Sequence, residues 1–306
     1  MMKSFAIVGA GAVGSYYGAR LAASGLDVRF LLRADYDEVS RNGLEVKSIH
    51  GNVELPEVDC YRTSEKIGKV DVVIVAWKST ANHYSEKVIG PLMRDDTIVL
   101  TLQNGMGNVE VLGALFGPER ILGGMCFVCI NRMKAGVIHH VGGGLVAIGE
   151  MIPSGGDRLE KLVEIFKEAN VPCEGSPDLG LIQWRKLVWN IPFNGLCITE
   201  GGITTRDLLG RKSGEERVRG MMAEVIKIAG ALGYEIPPEF IDYQIKITGP
   251  MGDYRPSSMI DFVEGREVEL DAIWGEPLRR AKEKRVETPL IDSLYEDLVR
   301  AVSKTH

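Results

Sequence analysis

Lys186, Asn190 and Asn194 recur at i, i+4 and i+8 in the stretch LGLIQWRKLVWNIPFNGLCIT. At about 100° per residue they drift only about 80° around a helix, so one polar stripe runs along an otherwise apolar cylinder. A polar stripe that is buried needs partners. One ammonium and two amides suit a small ligand with a carboxylate, a carbonyl and hydroxyls. The alternative is a solvated face, because lysine is rarely fully buried. Pro192 removes a backbone hydrogen bond to Val188 and is expected to kink the helix beside the stripe.

A second set of chemistry-bearing residues opens the chain. KSFAIV, from Lys3 to Val8, reads as a strand, and Gly9-Ala10-Gly11-Ala12-Val13-Gly14 follows it directly as GxGxxG. Ser15 to Ser24 reads as a helix ended by Gly25, and LDVRFLL, Leu26 to Leu32, reads as the next strand. That is the strand–turn–helix–strand context in which this glycine pattern holds a dinucleotide. Gly9 permits the tight turn, Gly11 lets the backbone approach a pyrophosphate, and Gly14 lets helix and strand pack closely. The unpaired N–H groups at the helix start favour phosphate. Gly9, Gly11, Ala12, Val13 and Gly14 are therefore the expected phosphate contacts. The same stretch could pass for a signal-peptide h-region, but the glycines interrupt the apolar run and Arg20 falls in the cleavage region.

The residue types after each later strand refine the expectation. An NAD site usually carries an acidic residue after the second strand. Here the strand ends in Leu32-Arg33, and a guanidinium can pair with a 2′-phosphate. Asp35 and Asp37 lie close by and could offer a carboxylate instead. VDVVIVA (Val70 to Ala76) and TIVLTL (Thr97 to Leu102) read as buried parallel strands. Ligands sit beyond the carboxyl ends of such strands, which singles out Lys78 and Asn104. Asn104 also begins Asn-Gly, a common turn pair, and taken alone the turn reading is the stronger.

Composition bounds the rest. The 306 residues are 45% hydrophobic and 25% charged with a net charge of −6, which is globular and argues against a general nucleic-acid or membrane-surface binder. No apolar run reaches membrane-spanning length. Five cysteines at scattered spacings fit a reducing cytoplasm, and Cys126-Phe-Val-Cys129 has no second pair to complete a metal site, so no metal is expected. The α/β alternation gives way near PSGGD, Pro153 to Asp157, followed by a helix from Arg158 to Asn170, a strand from Val171 to Glu174, and then mostly helix. The expected fold class is α/β: a Rossmann-type dinucleotide-binding domain over 1–175, then a mostly α-helical substrate and catalytic domain over 176–306. Met221-Met222 with Val225, Ile226 and Ile228 serve either a homodimer contact or the intramolecular core.

Taken together these residues resemble the ketopantoate reductase (2-dehydropantoate 2-reductase) family, nearly end to end. The family's glycine-rich start falls on Gly9, Gly11 and Gly14, its arginine on Arg33 and its lysine after a later strand on Lys78. Its Asn-Gly-Met-Gly segment is Asn104 to Gly107, and its Trp-Arg-Lys segment is Trp184 to Lys186, followed by Asn190 and Asn194. Its C-terminal serine, aspartate, Gly-Arg and glutamate resemble Ser257-Ser258-Met259-Ile260-Asp261, Gly265-Arg266 and Glu269. The family places methionine directly after the substrate-binding serine, which would select Ser258. Counting back without a gap from Asp261 selects Ser257, preferred because a deletion would rotate the rest of the helix by about 100°.

The resemblance implies NADP(H)-dependent reduction of 2-dehydropantoate to (R)-pantoate, on the route to pantothenate and coenzyme A. It also implies Lys186 as general acid oriented by Glu269, with Asn190, Asn194 and Ser257 on the substrate and Asn104 between cofactor and substrate. A reductase of another branched or hydroxylated 2-oxo acid would share this set, since pocket shape alone separates such substrates. A non-enzymatic NADP-binding sensor would require the glycines but not Lys186 and Glu269 together.

Overall fold

The computed structural model describes residues 2–304. Two compact units emerge: one runs up to Gln103 and resumes over Asn108–Leu179, and the other joins Asn104–Gly107 to the chain from Gly180 onward.

In the first unit, ten strands among the described residues form one sheet. They are β1 (Ser4–Val8), β2 (Asp27–Leu31), β3 (Leu44–Ser48), β4 (Val53–Leu55), β5 (Cys60–Tyr61), β6 (Val72–Val75), β7 (Ile98–Thr101), β8 (Ile121–Lys134), β9 (Val137–Glu150) and β10 (Cys173–Ser176). Their order is β4-β3-β9-β8-β7-β6-β1-β2-β5, with β10 also paired to β9. β1 lies between β2 and β6, parallel to both, with Val8 opposite Leu31 and Val75. The chain thus leaves β1 for one side and returns to its other side at β6, which makes the carboxyl end of β1 a topological switch point. All residues of β6 and β7 are buried, as the continuous apolar runs require of strands covered on both faces. The long antiparallel hairpin of β8 and β9 was not anticipated as such: its distal half alternates poorly and carries Asn131, Arg132 and Lys134.

The helix expected from Ser15 begins at Ala12 and runs to Ala23. Gly11 is its N-cap, so Val13 and Gly14 belong to the helix rather than to a loop before it. The helix Arg158–Glu168 precedes β10, which starts later than the expected Val171.

The second unit is helical, led by Leu179–Thr199, Lys212–Ala231 and Pro289–Ser303. Its core gathers Trp184, Phe193, Met222, Trp274 and Leu294, so Met221-Met222 face inward as intramolecular core. Leu179–Thr199 continues unbroken through Pro192. The Trp274 indole donates to the Ile191 carbonyl at 3.0 Å, pinning that turn. The α/β unit followed by a helical one is the fold class expected.

Candidate active site

The glycines of the first loop have different duties. Gly9 has φ +93°, and a Cβ there would lie 2.2 Å from the Trp77 backbone nitrogen. At Gly14 a Cβ would lie 2.5 Å from the Gly9 carbonyl oxygen. Both glycines are required by the fold. Gly11 is not: its φ of −76° suits any residue, and a Cβ would meet nothing within 4 Å. The open space over Gly11 is what a pyrophosphate approaching the backbone needs. No side chain caps this helix start and no acidic residue occupies its first turn, so the N–H groups and dipole are available to an anion. The loop therefore fits a dinucleotide phosphate.

Charges beyond β2 sort themselves. Arg33 is exposed and has no ion pair among the described residues. Asp35 accepts two contacts from Arg132 at 2.6 Å, and Asp37 accepts from Arg62 at 2.7 Å. Arg62 holds the Asp37 carboxyl below the usual carboxylate range through that hydrogen bond. The Arg62 guanidinium also lies 4.3 Å from the centre of the Tyr36 ring.

Beyond β6 and β7 a polar network ties the strand ends together, and its hub, Asn82, was missed from sequence. Asn82 Oδ1 accepts from Gln103 Nε2 at 2.7 Å and Trp77 Nε1 at 3.2 Å, while its Nδ2 donates to Asn108 Oδ1 at 2.8 Å. Asn82 lies on a short 3₁₀ turn, Ser79–Tyr84, whose polar sequence resembles any surface loop. Lys78 precedes that turn and is half-buried.

In the second unit, the polar stripe is buried. Lys186 and Asn190 are each 8% exposed and Asn194 1%, which excludes the solvated-face alternative. Lys186 Nζ donates to Asn104 Oδ1 at 2.8 Å, so the sequence-distant Asn104 reaches the lysine. Glu269 is also buried, at 7% exposure. It lies just before a π-helical turn, Asp271–Gly275, a form of helix that concentrates at functional sites.

Asn194 is committed to the protein. Its Nδ2 donates to the Asn190 carbonyl at 3.1 Å, and its Oδ1 accepts from the Ser258 backbone N–H at 2.9 Å. It thus anchors the start of the Ser257–Val263 helix to Leu179–Thr199. Ser257 is exposed at the first position of that helix, whereas Ser258 is 3% exposed. Burial pushes the Cys173 and Cys197 thiols up to about 12, which makes both poor nucleophiles.

The chain matches the family profile described as Ketopantoate reductase PanE/ApbA over residues 5–153, and that of its C-terminal part over residues 178–303. It is 40% identical over 301 residues to a 2-dehydropantoate 2-reductase of Nostoc sp., covering 97% of this chain and 94% of that one. A crystal structure of 2-dehydropantoate 2-reductase from Geobacter metallireducens GS-15 superposes with a TM-score of 0.96 at 45% identity, covering 97% of this chain and 99% of that one. A ternary structure of D-mandelate dehydrogenase with NADH and anilino(oxo)acetate superposes with a TM-score of 0.91 at 26% identity, covering 99% of both chains.

Proposed function

The chain belongs to the ketopantoate reductase PanE/ApbA family, and on that premise we propose that it reduces 2-dehydropantoate to (R)-pantoate with NADPH. The observation that carries the catalytic reading is a lysine 8% exposed whose Nζ donates to Asn104. A lysine is seldom buried without a task.

When bound, the nicotinamide supplies hydride to the keto carbon, and the carbonyl oxygen takes on alkoxide charge. Lys186 holds a proton at that oxygen and delivers it as general acid. Its charge acts at a buried position, where electrostatic stabilisation of a developing oxyanion is strong. Asn104 fixes the lysine's direction through its Oδ1. Glu269 supplies the negative charge that favours an ammonium at this depth. Asn190, one turn beyond Lys186, and the exposed Ser257 hydroxyl bind the polar ends of the substrate. Asn194 serves the substrate site by holding the Ser257–Val263 helix in place.

On the first unit, Gly9, Gly11, Ala12, Val13 and Gly14 form the phosphate loop and Lys78 supplies a further cation. NADPH is favoured over NADH because Arg33 is exposed and outside any ion pair among the described residues, while both nearby carboxylates are engaged by arginines. The likeness to D-mandelate dehydrogenase supports a second reading, in which the same machinery reduces another 2-oxo acid.

The test is loss of NADPH absorbance on adding 2-dehydropantoate, with other branched 2-oxo acids in parallel, for the wild type and Lys186→Ala. Turnover should be selective for 2-dehydropantoate, and kcat should fall about 10²- to 10⁴-fold in the variant, the usual worth of a general acid. NADPH binding without turnover of any 2-oxo acid would overturn the reading. Faster turnover of a different oxo acid would select the second one.

A further inference from the structure

Asp35 is a carboxylate close to the end of β2, near where an NAD site carries its acidic residue, and its side chain is engaged by Arg132. Because β1 and β2 are parallel with Val8 opposite Leu31, the glycine loop and the turn after Leu31 leave the sheet at the same end, side by side. A carboxylate in that turn is the group that binds a ribose 2′-hydroxyl. Asp35 occupies the N-cap of the helix Tyr36–Asn42 but makes no capping hydrogen bond. Instead both its oxygens accept from Arg132 Nη1 at 2.6 Å, and its side chain is only 13% exposed.

Arg132 comes from far away in sequence. It lies on the distal half of β8, beyond the last pairing of β8 with β7 at Gly123. Nothing in the hairpin's own pairing calls for an arginine there. Asp37 pairs with Arg62 through one oxygen at 2.7 Å, with both side chains more than half exposed. The turn from Leu32 to Asp37 is thereby left with one charged side chain outside any ion pair among the described residues, that of Arg33.

We infer that Arg132 is a specificity-determining residue: by pairing with Asp35 it removes the carboxylate that would favour NADH and repel a 2′-phosphate. The inference rests on the dinucleotide reading above and adds to it. A 2′-phosphate carries up to two negative charges and would meet a turn whose only unbalanced charge is positive. Without Arg132, the same turn would present a carboxylate that repels the phosphate and accepts a hydrogen bond from a free ribose hydroxyl.

The experiment measures the dissociation constants of NADPH and NADH, by nucleotide fluorescence without substrate, for the wild type, Arg132→Ala, Arg132→Lys and Arg132→Ala/Asp35→Asn. The wild type should prefer NADPH. Arg132→Ala should cut the NADPH:NADH preference by about fivefold, the upper end of what one exposed charge interaction is worth. Arg132→Lys should retain most of the preference, and Asp35→Asn should restore it in the double variant. A wild type that prefers NADPH, together with an Arg132→Ala ratio unchanged within about twofold, sinks this inference and leaves the dinucleotide reading standing. Equal loss of preference in the lysine variant also sinks it, since charge would not be the agent. A wild type without NADPH preference removes the cofactor reading and this inference together.

Discussion

Substituting Gly9 and Gly11 separately by alanine should split one sequence motif into its two physical duties. At Gly9 the backbone sits at φ +93°, where an L side chain costs about 1–3 kcal/mol. The added Cβ would also lie 2.2 Å from the Trp77 backbone nitrogen, well inside contact distance, and forcing backbone apart costs about 1–3 kcal/mol more. Gly9→Ala should therefore lose about 2–6 kcal/mol, which lowers Tm by roughly 4–24 °C in a unit of this size. Gly11→Ala meets neither obstacle, since its φ is −76° and the new methyl has no neighbour within 4 Å beyond the adjoining chain. Its capping cost and the gain from a stiffer unfolded chain are both about 0.5–1 kcal/mol and oppose each other. Tm should move by no more than about 3 °C. On the proposed dinucleotide reading the methyl stands in the path of the pyrophosphate, so the NADPH dissociation constant should rise about tenfold or more, about 1.4 kcal/mol. Differential scanning fluorimetry of the free protein and nucleotide titration give the two numbers. If Gly11→Ala unfolds as early as Gly9→Ala, or binds NADPH like the wild type, the two glycines do not divide these duties.

Two other sites give sharp expectations. Asn194→Leu removes the acceptor for the buried Ser258 N–H and should cost about 1–3 kcal/mol of stability, with a raised KM for the oxo acid. Thermal unfolding and KM measurements check both effects, and an unchanged KM would exclude the positioning role. His140 is 2% exposed, and burial lowers its pKa from the ordinary 6.5, with the nearby His50 and Arg20 acting in the same sense. The unfolded chain then binds the proton first, so this contribution to stability is complete above about pH 6.5 and is lost as pH falls through the folded value. Urea unfolding between about pH 7 and 5 should show a steep loss in the wild type and a shallower one in His140→Asn; parallel slopes would exclude His140 as the cause.

What the sequence disclosed, it disclosed through local periodicity. The first strand, turn and helix stand within a few residues of one another, so spacing alone locates them. Lys186, Asn190 and Asn194 share one helix, and their stripe is visible as i, i+4, i+8. The pairing of Lys186 with Asn104 was not derivable from spacing, because 82 residues separate them and the contact depends on tertiary packing. Asn82 was invisible for a related reason. Its three hydrogen bonds go to Trp77, Gln103 and Asn108, and only the folded strand ends bring these together. Spacing places the helix start at Ser15, after the whole GxGxxG run, whereas the helix begins at Ala12 inside that run, and Gly14 belongs to it where a Cβ would lie 2.5 Å from the Gly9 carbonyl oxygen.

Asn104-Gly105 is a turn that also hands Lys186 its hydrogen-bond acceptor. Gly105 has φ +80°, and a Cβ there would lie 2.3 Å from the Ala272 carbonyl oxygen, so only glycine lets the turn come this close. The next residue, Met106, donates its N–H to that same carbonyl at 2.8 Å and buries its side chain in the helical core. Ala272 belongs to the π-helical turn that follows Glu269, and the Glu269 carbonyl accepts from Ile273 at 3.2 Å inside it. The turn is therefore docked on the segment that carries Glu269, and once docked it presents Asn104 Oδ1 to Lys186. A weaker turn former at residue 105 would shift the amide that orients the lysine. The commonplace reading of Asn-Gly as a turn thus supplies the physical basis of the functional one, rather than an alternative to it.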